Sequence, residues 1–162
     1  MSTMYVDNVA PLNTAVDGVH IPGHVIQLAH STTSGNPGSS STSSFSDTGV
    51  SVNITPKYAN SKILVIVHQV MAISHDAGHT RVDFRCIEAD GTQIYRMDYH
   101  GQDGFENLTQ RNFSGSGVFQ CTNTNQLTFK TQAQRANTTE GNWIPLWYEG
   151  SIHTIQALEI AQ

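Results

Sequence analysis

The sequence predicts an all-β chain: an antiparallel β-sandwich of jelly-roll type, with a short extended arm at its start. Three observations carry this expectation. No stretch places apolar residues at i, i+3, i+4 and i+7 for three turns, whereas alternating and β-branched runs recur along the chain. About nine such runs follow one another at spacings of roughly 8–15 residues, the rhythm of a sandwich or barrel. Only 13% of the 162 residues are charged, about half the usual ~25%. Polarity comes instead from 15 Ser, 17 Thr, 11 Asn and 11 Gln, side chains that both donate and accept hydrogen bonds.

Residues 1–23 read as the arm. Residues 4–9 could pair as one short strand, Pro11 interrupts it, and Asp17-Gly18 and Pro22-Gly23 are turn pairs. Such a segment is too short for its own core and binds a neighbouring chain or stays disordered. The body, residues 24–162, opens with a strand over 24–30 that sets His24, Ile26, Leu28 and His30 on one face and Val25, Gln27 and Ala29 on the other. Residues 31–44, rich in Ser, Thr and Gly, read as a loop. Alternation resumes over 45–54, with Val50, Val52 and Ile54 on one side, and Thr55-Pro56 ends it. Residues 62–71 are apolar on both faces. That strand belongs inside a sheet, covered on one side by the second sheet and on the other by a loop or another subunit.

The runs 80–88 and 92–99 flank Ala89-Asp90-Gly91, a strong hairpin signal. Val82, Phe84 and Cys86 face one way, and Arg81, Asp83, Arg85 and Ile87 the other. Residues 100–116 read as a polar loop, with Gly115-Ser116-Gly117 as a flexible turn. Strands follow at 117–121 and 126–132, then a polar loop over 133–141, a strand over 143–148 and a last one over 152–161.

A net charge of −5 without any basic cluster argues against nucleic acid. No apolar run approaches the ~20 residues of a membrane span, and the opening residues lack the pattern of a secretory signal, so synthesis in the cytoplasm is expected. Cys86 and Cys121 both sit in strand-like runs, where two buried thiols or a single bridge would fit.

Chemistry has few places to reside. His20/His24 and His75/His79 have a metal-site spacing, but that spacing gathers two imidazoles only on a helix, and Pro22, Gly23 and Gly78 oppose one. No metal site within one chain and no cofactor is therefore expected. His24 and His30 are the candidates for a site built from one histidine of each of three chains around an axis. Nucleophile elbows and phosphate-cradling glycine motifs are missing. Asp98, Asp103 and Glu106 could supply a glycosidase pair, although one loop leaves little room for the groove such a pair needs. Recognition is the better use of this region. Aromatic faces beside amides and hydroxyls suit sugars, and the expected contact set is Tyr99, His100, Gln102, Asp103, Phe105, Asn107, Phe113, Asn137 and Trp143.

The run Ile21-Pro-Gly-His-Val-Ile-Gln27, the Ser/Thr-rich stretch, Phe45-Ser-Asp-Thr-Gly-Val-Ser-Val-Asn-Ile-Thr-Pro56 and Asn60-Ser-Lys-Ile-Leu-Val-Ile-Val67 together resemble a module of structural proteins of marine and cyanobacterial tailed phages. The opening Tyr5-Val-Asp-Asn-Val9 and the ending Ala157-Leu-Glu-Ile-Ala-Gln162 are similar to theirs as well, while 72–150 matches only as generic strands and loops. The resemblance implies a virion protein such as a tail-fibre knob, a homo-oligomer and usually a trimer, whose residues 24–162 form the knob. Its arm would hold other virion proteins, and its distal loops, 100–116 and 133–142, would contact a host-surface glycan. It brings no catalytic residues, so no enzyme is expected. Two other readings are a capsid decoration or head-fibre protein, docked by its arm, and a small polysaccharide depolymerase.

Overall fold

Alternating apolar residues can satisfy the backbone and bury one face only by pairing in sheets, and the described residues do so. The computed structural model describes residues 22–34, 43–74, 80–101, 109–135, 142–145 and 151–162. Within them run β1 (Val25–Ser34), β2 (Ser46–Ile54), β3 (Lys62–Ser74), β4 (Thr80–Glu88), β5 (Gln93–Gly101), β6 (Thr109–Gln120), β7 (Leu127–Arg135), β8 (Asn142–Pro145) and β9 (Ile152–Ile160). One sheet has the order β1-β9-β3-β6, with β8 pairing β3 beyond the end of β9, and the other has the order β2-β7-β4-β5. Every pairing is antiparallel. Partners nest about the β4–β5 hairpin: β4 with β5, β3 with β6, β2 with β7, β1 with β9. That nesting is jelly-roll connectivity, as expected from the sequence.

The inward faces interdigitate. Ile63, Val65, Val67 and Met71 of β3 meet Val50 and Val52 of β2, Val82, Phe84 and Cys86 of β4 and Phe129 of β7 in one buried cluster. Phe84 lies 5.1 Å from Phe113, and Phe119 meets Phe129 edge-on at 5.6 Å, between ring centroids. A small polar group is enclosed with them: the Thr131 hydroxyl donates to Gln69 Oε1 at 2.9 Å and pairs with the Thr48 hydroxyl. The Asp90-Gly91 hairpin forms as read, closed by Gly91 N–H donating to Glu88 O at 2.9 Å, with Gly91 at φ 98°.

Several boundaries differ from expectation. β1 continues through Ser34 into the stretch read as a loop, because β9 offers it a ladder partner as far as Ile152. A register shift between Val25 and Gln27 breaks the expected two-face division at the start of β1: Val25 pairs with Ile160 and is exposed, while Gln27 and Ala29 turn inward. The larger correction concerns 109–117. Gly115 and Gly117 lie mid-strand in β6, opposite Val67 and Val65, and form no turn. A Cβ on Gly115 would stand 2.6 Å from the Tyr95 ring, and one on Gly117 would stand 2.6 Å from the Ile94 carbonyl oxygen. The glycines are therefore there to let β5 close over β6. The expected distal loops shrink accordingly, since β5 reaches Gly101, β6 starts at Thr109, β7 reaches Arg135 and β8 starts at Asn142.

One end of the sandwich is locked by a buried carboxylate. Glu159 is 0% exposed and accepts hydrogen bonds from Lys57 N–H, Tyr58 N–H, the Ser61 hydroxyl and the Gln27 amide. The segment after β2 is thereby pinned to β9 and β1. Gly23, at the end of the expected arm, already belongs to this body, donating its N–H to Ala161 O at 2.9 Å. Residues 1–21, the rest of that arm, lie outside the described residues.

Candidate functional site

The two outer faces of the sandwich are chemically opposite. On the outer face of the β1-β9-β3-β6 sheet, register aligns Leu28 with Leu158, Leu158 with Leu64, and Leu64 with Val118. Four apolar side chains thus cross the whole sheet in one row, and its ends are open: Leu28 is 58% exposed and Val118 55%. Val25 and Ile160 adjoin the row on one side, and Ile66 adjoins it on the other. Farther along, the face turns to hydroxyls, amides and imidazole. Ser114 spends its proton on Asn112 Oδ1 at 3.0 Å, so its oxygen accepts from His68 Nδ1 at 2.9 Å. Among the described residues Lys62 is the one formal charge on this face, and no carboxylate faces outward there.

The outer face of the β2-β7-β4-β5 sheet carries the charge. Asp83 and Asp98 lie directly opposite each other across the hairpin, an arrangement that is repulsive on its own. Arg81 and Arg96 resolve it by each bridging both carboxylates, at 3.1 and 3.2 Å for Arg81 and at 2.6 and 3.0 Å for Arg96. Burial alone would push Asp98 up. The hydrogen bond from Arg96 and the positive charge of Arg96 and Arg81 outweigh it and hold its carboxyl below the ordinary value. Beside this quartet Arg85 lies 3.8 Å above the Phe45 ring and donates to Gln132 Oε1, whose amide in turn donates to Asp47. Asp47 is also held below its ordinary value: the bonds from Gln132 and Lys130 and the Lys130 charge overcome a burial effect of opposite sign. Arg81, Arg96 and Lys130 thus have carboxylate partners and Arg85 a neutral amide and a ring, so this face is suited to water.

Several expected site residues fall elsewhere. Phe113 is 3% exposed and packs on Phe84, so its ring is core and its place in the contact set is withdrawn. Its parity in β6 explains this, since it points inward like Gly115 and Phe119. Tyr99 packs partly against the core, with the Arg111 guanidinium 5.0 Å from its ring centroid. His100 and Trp143 lie in β5 and β8, at opposite Arg81 and Ile73 in the ladders, and Gln102, Asp103, Phe105, Asn107 and Asn137 lie outside the described residues. His24 and His30 are both exposed, His30 on the outward face beside Gln156.

Asp98, tied to two arginines and held ionised, is not a general acid, while Asp103 and Glu106 lie outside the described residues. Cys86 and Cys121 are free and buried; burial pushes the Cys86 thiol up to about 12, which leaves it protonated and unreactive at neutral pH. Among the described residues no three His, Cys, Asp or Glu side chains cluster to hold a metal ion. The register shift between Asp47 and Ser51 opens a depression of about 140 Å³ lined by Gly49, Ser51, Thr128, Lys130 and Thr131, small beside an ordinary ligand pocket.

No protein-family model matches this chain, and neither does any curated protein. Solved structures resemble it remotely. Dimeric latent PorU from Porphyromonas gingivalis aligns at a TM-score of 0.47 and 12% identity, over 87% of this chain and 14% of that one. The C-terminal domain of EclA, a sugar-binding protein, aligns at 0.38 and 11%, over 91% and 88%. The insecticidal delta-endotoxin Cry8Ea1 from Bacillus thuringiensis aligns at 0.36 and 14%, over 75% and 19%. Likenesses this distant carry no functional argument.

Two features of the site were hidden in the sequence. The apolar row draws one residue from each of four strands and needs the register to be seen. The charge quartet had a readable sign, because Arg81-x-Asp83 and Arg96-x-Asp98 sit at matching positions on the two arms of one hairpin.

Proposed function

We propose that this chain is a structural protein of a tailed-phage virion, an oligomeric and by the habit of fibres trimeric knob that helps hold the particle to host-surface glycans. It acts by binding and assembly, without catalysis. The observation that carries the reading is the contrast between the two outer faces: one rich in charge and laced with ion pairs, the other largely apolar and almost uncharged among the described residues, in a chain poor in charge throughout. Large exposed apolar patches on small domains mark interaction surfaces. Support also comes from the resemblance to phage structural proteins. Its separate motifs, around Gln27, Thr55, Ser61 and Glu159, meet at one end of the sandwich.

Immunogold labelling of particles of the phage that encodes the chain tests the proposal. Gold at the tail tip supports the fibre assignment, and gold on the head selects the decoration reading. Unlabelled particles overturn both. Saturating purified protein should also slow phage adsorption; unchanged adsorption removes the glycan-binding part.

A further inference from the structure

We propose that copies of this chain meet through the outer face of the β1-β9-β3-β6 sheet, with the row Leu28–Leu158–Leu64–Val118 at the heart of the contact. This rests on the assembly reading above and names its surface.

Size is the first argument. Four strands about 4.8 Å apart, each with nine residues rising about 3.3 Å, present roughly 600 Å² in projection. The accessible area of so corrugated a surface is larger, and a stable contact needs about 800 Å² per partner. One whole face therefore makes one partner-sized patch.

Self-complementarity is the second argument, and it selects a copy of the chain over a foreign partner. Where a face lies on the symmetry axis of a homo-oligomer, twofold or threefold, each residue near the axis meets its own copies, so like charges there would oppose one another. This face meets that condition, with Lys62 at its border as its single formal charge among the described residues. Its polar rows are Thr32, Thr154, Gln156, Ser114 and Ser116, side chains that both donate and accept, so a copy always presents a fitting group. The paired charges of the opposite sheet would have to be stripped of water in any contact there, which makes that sheet the poorer candidate.

Third, the face is rigid before contact. Its central strand β3 is laddered on both sides and its inner residues Ile63, Val65 and Val67 are fully buried, so little ordering is needed on association.

The test is light scattering of the eluting full chain across a dilution series, with two double variants. Leu28→Lys with Val118→Lys changes two exposed positions on the proposed face. Ser51→Lys with Asn53→Lys changes two exposed positions on the opposite sheet. The wild type should elute as an oligomer, and the first variant should raise the dissociation constant at least ~100-fold with an unchanged far-ultraviolet spectrum, since like charges placed in a contact cost several kcal/mol. The control should associate like the wild type. If the first variant does not fold, Leu28→Gln with Val118→Gln replaces it, with an expected loss of about tenfold. An oligomer that survives the substitutions, or a control that falls apart, overturns the face assignment and leaves the assembly reading standing. A wild type that stays a single subunit at every concentration overturns both.

Discussion

Glu159→Ala tests the lock that closes the sandwich. The carboxylate accepts from four donors: Lys57 N–H at 2.9 and 3.0 Å, Tyr58 N–H at 3.1 Å, the Ser61 hydroxyl at 2.8 Å and the Gln27 amide at 2.6 Å. A hydrogen bond to a charged group contributes about 1.5–3 kcal/mol, so four would sum to roughly 6–12 kcal/mol. The true loss is smaller. Gln27 keeps its bond to Thr55 O at 2.7 Å, and Ser61 can turn its single proton from Glu159 to Tyr58 O at 2.9 Å. The Lys57 and Tyr58 N–H groups are left without their acceptor, at about 1–3 kcal/mol each, so a loss of about 3–5 kcal/mol follows. With a urea slope of about 2 kcal/mol per molar, the unfolding midpoint should fall by about 2 M. Glu159→Gln, which keeps the acceptor for Tyr58 and Ser61 but turns an amide towards Gln27 and Lys57, should lie about halfway. Equilibrium unfolding must be run at one protein concentration, because association adds to apparent stability. If both variants unfold within about 0.5 kcal/mol of the wild type, the lock is not what holds the segment after β2.

Other consequences are equally direct. Gly117→Ala should cost about 1–3 kcal/mol, because its Cβ would meet the Ile94 backbone oxygen, which cannot swing aside; a melting curve like the wild type's refutes the close approach. Asp98 and Asp47 are held below the ordinary carboxylate value of 3.8 in the folded chain, so the unfolded chain takes up their protons first as pH falls. Their stabilisation should be complete above that value and lost as pH drops through the lowered ones. Arg96→Gln should flatten that acid decline, and an unchanged profile contradicts the pairing. A thiol reagent at neutral pH should leave Cys86 and Cys121 unmodified in the native protein and modify both in denaturant; rapid native labelling would show the burial to be wrong.

Where the sequence was legible, the deciding physics was local. The β4–β5 hairpin could be read because alternation and Asp90-Gly91 sit side by side, and the two-sided apolar run 62–71 could be read because both of its faces are its own. β3 indeed lies inside its sheet, with one face on the core. Misreadings came where a distant partner decides. Gly115-Ser116-Gly117 has the composition of a turn, and only the approach of Tyr95 and Ile94 shows why glycine stands within a strand. Ser31 to Ser34 has no strand signal of its own, yet it pairs with Ile152 to Ile155. Phe113 looked like a loop aromatic until the β6 register turned it onto Phe84. Glu159 reads as one more polar residue of an alternating strand, and its donors come from segments about a hundred or more residues earlier.

Sedimentation equilibrium of the purified full chain over a wide dilution series tests most directly the claim that one sheet face is built to be hidden by copies. The account predicts a mass that is a whole multiple of 17.7 kDa, three for a trimer, falling towards one subunit only on strong dilution. A single 17.7 kDa species at every concentration would contradict it.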